Sequence, residues 1–259
     1  MASENENHKS GGCCYYFKEE FQLRKFGFGH DYPSLFVIPQ CFSANLYILW
    51  AVFWALFYTT HLALEVYYYP DLGAKYFIYV TNISYLMQSA FVFTDFFVTI
   101  YVNVKRKDIR NGESTGLPWY VKLQWLLFNV TNSFSLLVSI IYNTLLKVEF
   151  TYSSIYTHLL SSVFTILGLF FSAKPVQLFH FYQPMIPAVV YVVFSIIYHI
   201  SGGERIYPIL DWGDEPRQAA WTSVLMTGVA MPLVHLLCYF LYSTRVFVHE
   251  KCNCSRMKK

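Results

Sequence analysis

The stretch Phe42–Leu64, FSANLYILWAVFWALFYTTHLAL, contains no Asp, Glu, Lys or Arg. A helix crossing a bilayer needs roughly 20 mainly apolar residues, and this run supplies them without a charge. The pattern recurs. Residues 76–104 carry one charge, Asp95, between Tyr76 and Val104. Residues 123–146, 155–173, 184–200 and 219–244 carry none. Lipid offers the backbone no water to bond, so spanning segments are helices or closed barrels. Long continuous apolar runs without strand-length alternation favour helices. The expectation is an all-α membrane bundle of six transmembrane helices.

Composition agrees. Of 259 residues, 55% are hydrophobic, 20% aromatic and only 14% charged, where soluble chains carry about a quarter. This excludes a disordered chain, a nucleic-acid-binding domain and a small disulfide scaffold. An even number of crossings puts both ends on one side. Fifteen basic residues fall on the side of the termini, including Lys105, Arg106, Lys107, Arg110 and Lys174. Only Lys75, Lys147, Arg205 and Arg217 fall opposite, so the positive-inside bias predicts cytoplasmic termini. The organisation expected is a cytoplasmic arm (1–41), a transmembrane domain (42–247) and a basic tail (248–259). The membrane is the plasma membrane or the endoplasmic reticulum.

The arm places Phe17, Phe21 and Phe28 among Lys18, Glu19, Arg24 and Lys25, a pattern suited to a short interfacial helix. Cys13, Cys14, Cys252 and Cys254 are cytosolic thiols near basic residues and the membrane, which makes them lipidation candidates. No loop of the far side contains a cysteine, so no structural disulfide is expected. His249, Cys252 and Cys254 are too few ligands to argue a metal site. No metal or cofactor is expected.

Polar residues inside the spans recur at helical spacing. Thr81, Ser84, Gln88, Asp95 and Thr99 share a face of the second span. Asn132, Ser139 and Asn143 form a stripe on the third, with Asn129 at its edge. His158, Ser161, Ser162 and Thr165 do so on the fourth. Such groups usually hydrogen-bond helix to helix, at ~0.6–2 kcal/mol each. Asp95 needs a partner or a proton, and His235 on the last span lies at a suitable depth. A proton relay through Asp95 is a more distant reading. By depth, His61, Thr81, Asn143, His158 and His199 gather in the outer third of the bilayer. A threonine there with a histidine base would form a nucleophile pair, Thr81 with His158 or His199.

Four ordered motifs resemble the rolling stone family of animal multi-pass membrane proteins. They are Lys122-Leu-Gln-Trp-Leu-Leu-Phe-Asn-Val-Thr-Asn132, Thr157-His-Leu-Leu-Ser-Ser-Val-Phe164, His180-Phe-Tyr-Gln-Pro184 and Tyr207-Pro-Ile-Leu-Asp-Trp212. The resemblance runs from about Phe17 to Phe247 and implies a membrane protein of cell–cell contact or myoblast fusion, with lipid or a protein as partner. A fainter resemblance reaches the androgen-induced and androgen-dependent membrane threonine hydrolases, which cleave fatty acid esters of hydroxy fatty acids. It rests on Val80-Thr81 followed by Gln88, and on Tyr198-His-Ile-Ser-Gly202 followed by Tyr207-Pro-Ile-Leu210. That resemblance implies Thr81 as nucleophile acting on a lipid ester. The chain departs from it at the base: Thr157-His158-Leu-Leu-Ser161 places Ser161 where the hydrolases carry the catalytic histidine.

Overall fold

A computed structural model describes residues 21–68, 70–146 and 154–256, and among these the chain is helical, with a lone antiparallel bridge between Pro39 and Ser172. Helix α1 spans Ala44–Tyr68 and α2 spans Val80–Lys105. Helix α3, Trp119–Ile141, runs into a π-turn, Tyr142–Leu146. Helix α4, Ser161–Phe171, is led by a π-turn, Ile155–Leu160. Helix α5 is Tyr182–Ile200. Pro216–Leu225, a π-turn Met226–Ala230 and Met231–Arg256 run on as one long helix, α6.

Five helical stretches are long and apolar enough to cross a membrane: Ala44–Tyr68, Val80–Lys105, Trp119–Thr144, Leu178–Ile200 and Pro216–Lys251. The remaining one, Ile155–Phe171, is apolar but shorter. It stops at Phe171 because the chain turns inward there: Ser172–Gln177 is extended and buried throughout. The second helix also starts later than its apolar run. Tyr76–Ile78 belong to short 3-10 turns over Pro70–Ile78, whose left-handed Gly73 (φ 44°) a side chain would strain. At the far end of α5, Gly202 (φ 85°) stops the helix, with Gly203 N–H returning to the Tyr198 carbonyl.

Helix α3 is the central post. Of its apolar window 78% is buried, against 22–50% for the other four stretches. It packs against α2, α4, α5 and α6. Lipid-facing sides elsewhere stay apolar and exposed, as at Leu49, Phe53, Leu56, Val190 and Leu233. The described part of the arm is a 3-10 turn, Leu23–Phe26, followed by chain that packs into one end of the bundle. Phe28 meets the rings of Trp125 (5.8 Å) and His180 (5.7 Å), and Phe36 and Val37 are fully buried. Phe17, Cys13 and Cys14 lie outside the described residues, as do the side chains of Cys252 and Cys254.

Candidate functional site

Asp95 is at the centre of the polar interior. Its Oδ1 lies 2.7 Å from Lys174 Nζ, and both side chains are buried. Gln124 Nε2 donates to the same oxygen at 2.7 Å, and the Tyr47 hydroxyl donates to both carboxylate oxygens at 3.1 Å. The Lys174 ammonium also donates to the Tyr47 hydroxyl and sits 4.6 Å from the centre of that ring. The rings of Phe91 and Phe128 lie further off, at 6.0 and 5.9 Å. The ammonium therefore replaces its hydration shell with a carboxylate, a hydroxyl and aromatic faces. Asn132 faces the same pair across a cavity of about 10 Å³, the size of one water.

This corrects the sequence reading of two residues. Lys174 is not a surface charge of a cytoplasmic loop; it is wholly buried and is the partner of Asp95. His235 does not meet Asp95, because both its ring nitrogens are engaged elsewhere. Ser133 Oγ donates to Nδ1 at 3.1 Å, and Nε2 donates to the Gln177 carbonyl at 2.9 Å. Arg245 is also interior. Taking Lys174 and Arg245 from the fifteen basic residues that the sequence assigns to the side of the termini leaves thirteen against four.

The buried connector Ser172–Gln177 would leave carbonyls without water, and side chains satisfy them. Arg245 Nη1 donates to the carbonyls of Leu169 (2.7 Å) and Ser172, and Nη2 to that of Lys174 (2.9 Å). Trp125 Nε1 takes Pro175 (2.8 Å) and His235 takes Gln177. Further along, Asn129 Nδ2 donates to His180 Nδ1 (2.9 Å) and Gln183 Oε1 (3.0 Å), while His180 Nε2 donates to Gly27 (3.2 Å). Gln124 Nε2 also donates to the Phe36 carbonyl of the arm (3.2 Å), so the motif residues Gln124, Trp125, Asn129, His180 and Gln183 all bind the connector, the arm or one another.

Gln88 ties three helices: the Tyr58 hydroxyl donates to its Oε1 (2.7 Å), and its Nε2 reaches Ser161 O (3.2 Å) and Thr165 Oγ1 (3.1 Å). The outer residues occupy separate settings. His61 stacks on Tyr156 (4.4 Å) and lies 3.6 Å from Glu65. Thr81 lines an apolar cavity of about 100 Å³ between α2, α3, α5, α6 and the Tyr207–Leu210 connector. His158 is outside that lining and stacks on Tyr142 (3.7 Å), with its buried Nδ1 unbonded. His199 packs against Gly213, where an added Cβ would come within 3.2 Å of the ring. Asn143 donates to the Ser139 carbonyl at 2.7 Å. Among the described residues no hydrogen bond joins Thr81 to His158 or His199. The π-turn before α4 contributes: His158 faces Tyr142 of the turn after α3, whereas the Ser161 carbonyl faces Gln88 of α2.

Outside the helices the connectors are braced locally. Backbone N–H groups of Asp214 and Gly213, with the Arg205 guanidinium (2.9 Å), hold the Asp211 carboxyl below its ordinary range. The Arg106 guanidinium does the same for Asp108 at the end of α2.

Fold and interior together define a polytopic helical membrane protein whose buried polar groups fasten helix to helix. The particular family is given by comparison. The family model "Protein rolling stone" matches residues 10–254, so the chain belongs to the rolling stone family. The chain is 27% identical over 252 residues to Protein rolling stone of Drosophila melanogaster, covering 88% of this chain and 87% of that one. No solved structure matches.

Proposed function

We propose that this chain is a six-pass membrane protein with both termini in the cytosol that works at cell–cell contacts, in fusion of the myoblast kind, through a protein or lipid partner and without catalysis. The observation that carries the non-catalytic part is where the polar interior goes. Gln88, Asp95, Asn129 and His235 have their groups turned on neighbouring helices and on the buried connector. Six crossings are supported by five long apolar helices and by the shorter one, which takes α3 back towards α5. The boundaries that go with this reading are an arm to residue 41, a bundle over 42–247 and a tail from 248. Family membership and the resemblance of the motifs support the contact role.

The alternative is an intramembrane ester hydrolase with Thr81 as nucleophile. One observation favours it: Thr81 borders an apolar cavity between the helices. A general base must lie within hydrogen-bond reach of the proton it takes, and His158 stacks instead on Tyr142.

The contact role is tested by expressing the full chain, tagged at both ends, in non-adherent cells. The expected result is protein at the cell surface, both tags reached by antibody only after permeabilisation, and more cell contacts or multinucleate cells than in vector controls. Confinement to internal membranes, tags on opposite faces, or unchanged contact counts would each overturn it.

A further inference from the structure

The stretch 38–41, where the arm enters α1, is strapped to the end of α4. Gln40 N–H donates to the Phe171 carbonyl (2.9 Å) and Ala173 N–H to that of Ile38 (3.0 Å). This strap sets Cys41 against the last turns of α6. There its Sγ lies 3.3 Å from His249 Nδ1, and the thiol is exposed. Arg245, one turn earlier on the same face of α6, is close enough for its charge and the sulfur to sense each other. Its side chain is 95% buried, and its Nε donor has no hydrogen-bond partner. Beside the thiol, Phe42 is exposed and its ring stacks on Phe171 at 5.7 Å. Phe247 and Val248 on α6 are exposed too. A nucleophile, a base, a nearby guanidinium charge and an apolar wall therefore meet at one end of the bundle. The contrast is Cys238, which is buried in the bundle where no reagent reaches it.

We infer that Cys41 is an S-acylation site that accepts a long-chain acyl group from a fatty acyl-CoA thioester, with His249 as the base. Three physical requirements of such a site are met: reach, proton acceptor and a place for the chain. The Cys41 thiol passes its proton to His249, and the sulfur attacks the thioester carbonyl carbon, forming the new C–S bond. Negative charge collects on the carbonyl oxygen and on the leaving sulfur, within the field of Arg245. The bond to the CoA sulfur then breaks, and the leaving thiolate takes the proton from His249 to become free CoA. No oxidant or reductant enters. The acyl chain runs from Cys41 past Phe42 into lipid and fixes the strap to the bilayer.

The inference rests on the cytosolic placement of the termini, since acyl-CoA is cytosolic. The test is made on purified full-length protein in detergent, so it reads the site's chemistry whichever face it occupies. The protein is incubated with palmitoyl-CoA at neutral pH, and each cysteine-bearing peptide is followed by mass spectrometry before and after hydroxylamine. The expected result is hydroxylamine-labile palmitoyl on Cys41, forming well ahead of that on Cys13 and Cys14 of the same molecule. His249→Gln slows it roughly 100-fold, and added imidazole restores part of the rate to His249→Ala. Protection of Cys238 in each variant certifies the fold. Acylation of Cys41 no faster than that of Cys13, or indifference to His249→Gln in folded protein, would overturn the proposal.

Discussion

Lys174→Met is expected to lower the unfolding free energy by about 3–5 kcal/mol, because it leaves the Asp95 carboxylate buried without its cation. Methionine fills much the same volume among Tyr47, Phe91 and Phe128, so lost packing contributes little to the change. What remains is a carboxylate held by Gln124 and Tyr47 alone. The partner substitution Asp95→Asn keeps an acceptor for both of those donors. In the double variant Asp95→Asn/Lys174→Met neither charge is stranded, so most of the loss is expected to return. The measurement is the unfolding midpoint in detergent for the four members of the cycle. Simple addition of the two single losses would show that the pair is not coupled, and would contradict the account.

Arg245→Met is the second substitution of large effect. One guanidinium serves the carbonyls of Leu169, Ser172 and Lys174, where the chain leaves α4 and enters the interior. Hydrogen bonds from a charged donor to buried acceptors are individually worth about 1.5–3 kcal/mol. Carbonyls tolerate a lost bond better than amides do, so the expected loss is about 3 kcal/mol. Its location is as informative as its size. Exchange of the backbone amides over residues 172–177 should quicken while that of α3 stays slow, because the connector opens before the bundle does. Arg245→Lys keeps the charge but not the fork, and should fall between. A change within ~0.5 kcal/mol, the range of ordinary surface substitutions, would show that the connector does not depend on this side chain.

Those two residues also mark where the sequence stops being legible. The apolar runs around Phe42–Leu64 and Tyr76–Val104 disclose α1 and α2 because length and absence of charge are local properties. The inward stripe of α2 is legible for the same reason: Gln88 and Asp95 are seven residues apart and both are buried. Lys174 and Arg245 read as loop and tail charges, since a basic residue beyond an apolar run is normally in water. Their burial depends on the extended connector, which no local periodicity announces. The one hint lies in Ser172-Ala-Lys-Pro-Val-Gln177, a lone charge among small and apolar residues, with a proline that blocks helix at the preceding position. The gathering of outer residues fails to predict contact for a similar reason. Depth places Thr81, His158 and His199 at one level, but azimuth decides who meets whom. The π-turns at Tyr142–Leu146 and Ile155–Leu160 alter that azimuth without any clear signal in the sequence.

On the proposed function, the polar groups within the bundle bind helices together and do no chemistry. This is tested most directly by incubating purified protein with a fluorophosphonate probe, with and without Thr81→Ala, alongside turnover of a fatty acid ester of a hydroxy fatty acid. Equal background labelling of both proteins and no turnover by either are expected. Labelling or turnover that disappears in Thr81→Ala while the fold persists would contradict this reading.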